Sequence, residues 1–326
     1  MKNRLFRLCI SFFILFIIIK NTNIDLSSIF SLIKKPLFLI YAIPIPLFII
    51  PLIGNKRWKI FLKIQGINGR LFLLIKLYFM SIFFGILLPS SMGFDAVRIY
   101  MIEKRNKQKI GAGGASVFVD RLIGFFLLSL LGVIGAWVAQ NHGVSSNVLF
   151  TALFINFFVI SLFFVLRNKS LYSCVTSYLL KIKRRKKIIE YLTLAYSAIN
   201  GFPLKKVILW TVPLILLGQL STIFCGFLIF KAFAIDLPFF FHLTFLPLIS
   251  IISIIPVSIS GFGLREGGFV YFYGLFGVDS NISFFVSLLY YFVLMMIPAF
   301  IGMLLYLFGS DQIKSIKNEL KQINDR

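Results

Sequence analysis

Charged residues make up only 14% of this 326-residue chain, whereas a soluble domain carries about a quarter. That scarcity excludes an ordinary water-soluble globule. No polar stretch is long enough to fold separately, so a single domain over 1–326 is expected. Cysteine is scarce too: Cys9, Cys174 and Cys225 are scattered and have neither metal-ligand spacing nor a disulfide framework. His142 and His242 stand alone. Nucleotide-binding loops, metal motifs and nucleophile constellations are missing, so no cofactor or metal is expected, and transport driven by the chain's own ATPase is excluded. Lys2, Arg4 and Arg7 precede an apolar run at 8–19 as in a signal peptide, but Ile17-Ile18-Ile19-Lys20-Asn21 offers no small-residue cleavage site. An uncleaved first span is therefore expected.

What the chain has in abundance is apolar surface. Hydrophobic residues reach 59%, 40 residues are phenylalanine, and mean hydropathy is +0.94. Lipid is the solvent that accommodates such a surface. The net charge of +23 would point to nucleic acid in a soluble protein. Here the basic residues cluster between apolar runs, as cytoplasmic loops require, and no nucleic-acid-reading module is visible.

A helix needs about 20 apolar residues to cross a bilayer core. Runs near that size fall at 5–19, 36–53, 71–88, 117–139, 148–166, 207–230, 241–255 and 283–308, with a shorter one at 268–277. Lys and Arg mark the inner side. Five lie in 54–70, five in 98–109, and ten in 167–206, including Lys183-Arg184-Arg185-Lys186-Lys187. Segments 140–147 and 278–282 have none, and 231–240 has only Lys231. If 54–70 and 98–109 are both cytoplasmic, 71–97 must enter and return. The same logic applies to 241–277 from the outer side. The expected fold is an all-α polytopic membrane helix bundle with six full spans, two re-entrant hairpins and both termini cytoplasmic. The segment 167–206 reads as an amphipathic helix at the cytoplasmic interface, attracted to anionic lipid, and 309–326 as a cytoplasmic tail.

The two hairpins break alike. One reads Pro89-Ser90-Ser91-Met92-Gly93-Phe94-Asp95-Ala96-Val97-Arg98, the other Pro256-Val257-Ser258-Ile259-Ser260-Gly261-Phe262-Gly263-Leu264-Arg265. Proline removes a backbone donor, glycine admits unusual backbone angles, and serine hydroxyls can satisfy freed backbone groups. Pro89, Gly93, Pro256, Gly261 and Gly263 are the expected break and gating positions. Span, hairpin and span recur at 36–139 and 207–308 with opposite predicted directions. That is an inverted repeat, an arrangement that places substrate between its halves in transporters.

Charges at these breaks are costly inside a bilayer and mark pathways. Asp95 and Arg98 are three apart and can share a helical face. Asp120 with Arg121, and Arg265 with Glu266, are sequence neighbours, so their partners are expected elsewhere, in a network of Arg98 or Arg265 with Asp120 or Glu266. Arginine forks onto phosphate with two hydrogen bonds, which makes these six residues candidates for a lipid head group. The Gly111-Ala112-Gly113-Gly114-Ala115-Ser116 run reads as a close-packing surface.

The stretch 89–98, followed by Ser116-Val117-Phe118-Val119-Asp120-Arg121-Leu122-Ile123-Gly124, resembles the lysylphosphatidylglycerol synthase transmembrane region, or flippase-like, family. So does 256–267 with its Gly-Phe-Gly-Leu-Arg-Glu-Gly core, and the likeness covers roughly 5–308. The resemblance implies a lipid-translocating domain, which in two-part members moves an aminoacylated phospholipid made by a separate C-terminal domain. Only 18 residues follow position 308 here, so synthesis of that lipid is not expected. It also places Gly93, Arg98, Asp120, Arg121, Arg265 and Glu266 at family positions.

The expected function is therefore lipid or glycolipid translocation across a bacterial cytoplasmic membrane, with no enzymatic activity. The expected cargo is an anionic phospholipid or a polyprenyl-linked glycolipid, and a separate lipid-modifying enzyme is a candidate partner. A membrane transferase using the carboxylates as general base, and a non-transporting envelope scaffold, are the alternatives.

Overall fold

The computed structural model describes residues 32–87, 93–106, 111–180, 186–254, 258 and 261–308. Among these, every regular element is a helix, and the chain is a polytopic membrane helix bundle. Five helices are long and apolar enough to cross a bilayer: α1 (Leu37–Ile64), α4 (Ala112–Gln140), α5 (Ser146–Arg167), the part Val207–Ala232 of α8 (Leu204–Ala232), and α11 (Ser280–Leu307). The first expected span, 5–19, lies outside the described residues. Lipid as solvent explains the outward faces. Phe150, Phe154, Phe157 and Phe158 on α5 are all exposed, a patch that water would not tolerate.

The expected hairpins are pairs of shorter helices. Hairpin one is α2 (Leu71–Leu87) and α3 (Gly93–Arg105), and hairpin two is α9 (Phe239–Ile254) and α10 (Leu264–Gly274). At about 1.5 Å per residue, the 17 residues of α2 reach about 25 Å, short of a full crossing. Each hairpin's two helices pack together. Pro89 and Pro256 lie outside the described residues.

One boundary differs from expectation. The loop expected over 54–70 is helical to Ile64. Pro51, Asn55, Trp58, Phe61 and Leu62 continue a buried stripe at helical spacing, while Lys56, Lys59 and Lys63 lie on the exposed face. Helix α1 thus carries its basic residues without ending. The segment 167–206 likewise holds two helices, α6 (Lys169–Leu180) and α7 (Lys186–Asn200), where one was expected. Tyr172 stacks on Tyr196 at 4.2 Å between them, and Ala195 and Ile199 bury α7 against the bundle.

Both α1 and α11 contain a π turn, at Ile45–Ile49 and Phe292–Met296. Each ends two residues before a proline, Pro51 or Pro298. A proline ring clashes with the carbonyl four residues earlier, and a widened turn relieves that clash.

The two halves are packed by exchange. Hairpin one's α2 lies against α11 of the second half, hairpin two's α9 lies against α4 of the first, and α1 lies against α8. Glycine permits the closest approaches: a Cβ at Gly135 would stand 2.7 Å from the Thr244 backbone nitrogen, and one at Gly302 would collide with the Phe79 carbonyl. In the turn after α8, Lys231 pairs with Asp236, so the lone basic residue of 231–240 is neutralised there. The Lys231 hydrogen bond and charge hold the Asp236 carboxyl below the usual carboxylate range.

Candidate functional site

The charges that belong poorly in lipid gather in two clusters, one beside each hairpin break. The first joins α1, α3 and α4. Helix α3 begins at Gly93, and Asp95 and Arg98 share one of its faces as their spacing predicts, with Arg98 Nη2 3.3 Å from Asp95 Oδ1. Asp120 and Arg121, adjacent on α4, diverge to different partners as expected. Arg121 forks onto Asp95, Nε to Oδ2 at 2.7 Å and Nη2 to Oδ1 at 3.0 Å. Asp120 is taken by Arg57 of α1, Nε to Oδ1 at 2.7 Å and Nη2 to Oδ2 at 3.0 Å. Arg98 Nη2 lies 3.9 Å from Asp120 Oδ2.

Arg98 is thus the central guanidinium. Its side chain is 6% exposed, and its Nε and Nη2 have no hydrogen-bond acceptor among the described residues. Aromatic faces hold it in place. The guanidinium carbon sits 4.4 Å from the Trp58 ring centroid and 5.1 Å from that of Phe94. Trp58 is itself fixed, since its Nε1 donates to Ser116 Oγ at 3.0 Å and Ser116 donates to the Gly113 carbonyl at 2.7 Å. Among the described residues, three guanidinium groups face two carboxylates here, which leaves one positive charge over.

Glu103 ties the end of hairpin one to α4. Its Oε1 accepts from the backbone N–H of Gly111 at 3.1 Å and of Gly114 at 3.0 Å. These are donors that the first turn of a helix leaves unsatisfied. The glycine-rich run therefore provides a helix start and a tryptophan anchor as well as a packing face.

The second cluster forms at the tip of hairpin two. Gly261 and Gly263 have φ of +77° and +87°, a region where glycine is at ease. Arg265 and Glu266 then open α10 and pair with each other. Their partners were expected elsewhere, and the difference has a local cause. Side chains in a first helical turn lean back toward its start, where Glu266 Oε2 accepts from the Gly263 N–H at 2.6 Å and Oε1 meets Arg265. Arg265 Nε lies 3.4 Å from Ser287 Oγ, and its guanidinium carbon is 4.2 Å from the Tyr291 centroid and 5.1 Å from that of Phe262. Glu266 is fully buried. Among the described residues no ion pair joins the two clusters, so the expected cross-repeat network is instead two separate ones.

The clusters are built alike: in each, an arginine rests on the phenylalanine of its own Gly-Phe break at 5.1 Å. Sequence reasoning missed Arg57, Trp58, Ser116, Ser287 and Tyr291. Arg57 and Trp58 had a signal, the buried stripe that runs past position 53.

The lysylphosphatidylglycerol synthase TM region matches residues 4–302. The UPF0104 membrane protein MJ1078 of Methanocaldococcus jannaschii is 25% identical over 250 residues, covering 73% of this chain and 99% of its own. No solved structure matches. With a match that runs from ahead of the first apolar run to within the last helix, the chain belongs to the lysylphosphatidylglycerol synthase TM region family.

Proposed function

We propose that this protein translocates a phosphate-bearing lipid or glycolipid across the cytoplasmic membrane of a bacterium, with both termini inside. The observation that carries this reading is Arg98, a buried guanidinium at a helix break with donors left over and a positive charge not fully neutralised. Such a group in an apolar bundle calls for an anion, and a guanidinium fork suits phosphate. An anionic phospholipid or a polyprenyl-linked lipid supplies that phosphate with an apolar tail that stays in the bilayer. The two hairpins act as gates around Gly93, Gly261 and Gly263, and Arg265 with Glu266 forms the contact at the second gate.

Non-enzymatic action fits the carboxylates better than transferase chemistry does. Asp95 accepts two hydrogen bonds from Arg121 and Asp120 accepts one from Arg57, so both carboxylates are tied to cations instead of free to take a substrate proton. A modifying enzyme acting on the same lipid before or after translocation is the natural partner.

The test is reconstitution of the purified protein in vesicles holding labelled anionic, zwitterionic, aminoacylated or polyprenyl-linked lipid, with outer-leaflet exposure followed with and without an ion gradient. Faster exposure of one class, lost in Arg98→Ala and in Arg265→Ala, is expected. No acceleration of any class would overturn the reading in favour of a scaffold, and a chemically altered lipid would do so in favour of a transferase.

A further inference from the structure

The two clusters share a plan but not a charge balance. In the second, one arginine meets one glutamate, and the pair is closed by direct contact, a backbone N–H and a serine hydroxyl. In the first, both carboxylates are engaged by flanking arginines. Arg121 hydrogen-bonds both oxygens of Asp95, at 2.7 and 3.0 Å, while Arg57 hydrogen-bonds Asp120 Oδ2 through Nη2 at 3.0 Å and stands with Nε 2.7 Å from Oδ1 as an ion pair. Arg98, between them, has only the longer approaches of 3.3 and 3.9 Å.

Arg57 decides this outcome. Asp120 is 1% exposed and lies within reach of two guanidinium groups. A buried carboxylate left with a single basic neighbour closes onto it, since the attraction steepens as distance falls in a low-dielectric site. With Arg57 present, Asp120 is held toward α1. Without it, Asp120 would move onto Arg98 and satisfy the nitrogens now lacking acceptors. Resting on the lipid-translocation reading above, we propose that Arg57 is a positioning residue that holds Asp120 off Arg98 and so makes the first cluster, not the second, the seat of a singly charged anionic head group. The ligand chemistry follows from the surplus. One positive charge matches a phosphodiester, while a dianionic phosphomonoester would leave a buried negative charge uncompensated. Arg265 then serves gate movement and not head-group affinity.

Trp58 lies against Arg98 and can report on the site. The other two tryptophans, Trp137 and Trp210, are exposed on the bundle, so Trp137→Phe and Trp210→Phe in the full chain leave Trp58 as the only indole. The probes, added to protein in detergent, are short-chain phosphatidylglycerol (a diester), short-chain phosphatidic acid (a monoester) and inorganic phosphate. The diester is expected to shift Trp58 emission saturably and more tightly than the monoester or free phosphate. Arg57→Gln should weaken it roughly tenfold, the order of one charge-assisted hydrogen bond. Arg57→Gln with Asp120→Asn should restore it, which general loss of structure could not do. Arg265→Gln, at a separate cluster that shares no partner with the first, should leave affinity within about twofold while stopping transport in vesicles.

An unchanged affinity in Arg57→Gln, or no restoration by the second substitution, would overturn the role of Arg57. An equal loss in Arg265→Gln would overturn the asymmetry of the clusters. Both results leave lipid translocation standing. Tightest binding by free phosphate would overturn the lipid source of the anion, and no response of the unsubstituted cluster to any probe would overturn translocation itself.

Discussion

At the scale of single residues, buried charges are tolerable here only as sets. Removing one member of a buried ion pair typically costs about 3–5 kcal/mol, because its partner keeps the desolvation penalty without compensation, whereas removing both is often close to neutral. Asp120→Asn leaves Arg57 and Arg98 facing each other, so thermal unfolding in detergent should show a loss of about 3 kcal/mol. The double change with Arg57→Gln should recover most of it. Arg121 behaves differently: its side chain is 44% exposed, and exposed pairs contribute about 0–1 kcal/mol. Arg121→Gln should therefore move the unfolding temperature little. An Arg121→Gln loss as large as that of Asp120→Asn would mean that the whole cluster is sealed from water. Asp95, Arg98 and Asp120 were legible because a charge beside a long apolar run has few ordinary explanations. Arg57 was not, since five basic residues in 54–70 read together as a cytoplasmic loop, and a topology signal hides any single member with another role.

At the scale of helices, the spans were legible and their partners were not. Apolar length marks where a helix crosses, but the groove it fills depends on surfaces brought together from distant parts of the chain. The contact of α4 with α9 and of α2 with α11 depends on Gly135 and Gly302, which in sequence look like ordinary membrane-helix glycines. A side chain at either must push backbone away, and overpacking of this kind costs about 1–3 kcal/mol. Gly135→Leu and Gly302→Leu should each lower detergent unfolding temperature. Gly124→Leu, where a Cβ meets nothing within 4 Å, should not. Equal behaviour of all three would show that the glycines serve flexibility instead of approach. The Glu103 cap on α4 is a further local device. Glu103→Ala frees two backbone donors and should cost about 1 kcal/mol, while Glu103→Gln, which keeps an acceptor oxygen, should cost less.

At the scale of the whole molecule, the depth of the hairpin tips distinguishes returning hairpins from full crossings. With Cys9, Cys174 and Cys225 replaced by serine, single cysteines can be placed along the chain and labelled with a membrane-impermeant reagent. Asn141→Cys should label from outside and Lys104→Cys only after the membrane is opened. Leu87→Cys, at the tip of hairpin one, should resist labelling from outside. Labelling of that position from the outer side would turn hairpin one into a pair of crossings and reverse the assignment of the segments that follow.

The exchange of hairpins between halves also bears on how the protein is made. The first half is synthesised, and its spans inserted, before α9 and α11 exist to fill the grooves on α4 and α2. The first half reaches the bilayer with its Gly135 surface bare, and lipid covers it until the rest of the chain arrives. The unit that folds is therefore the pair, not the repeat. Cut between α6 and α7, the two fragments should be unstable when made singly and recover together.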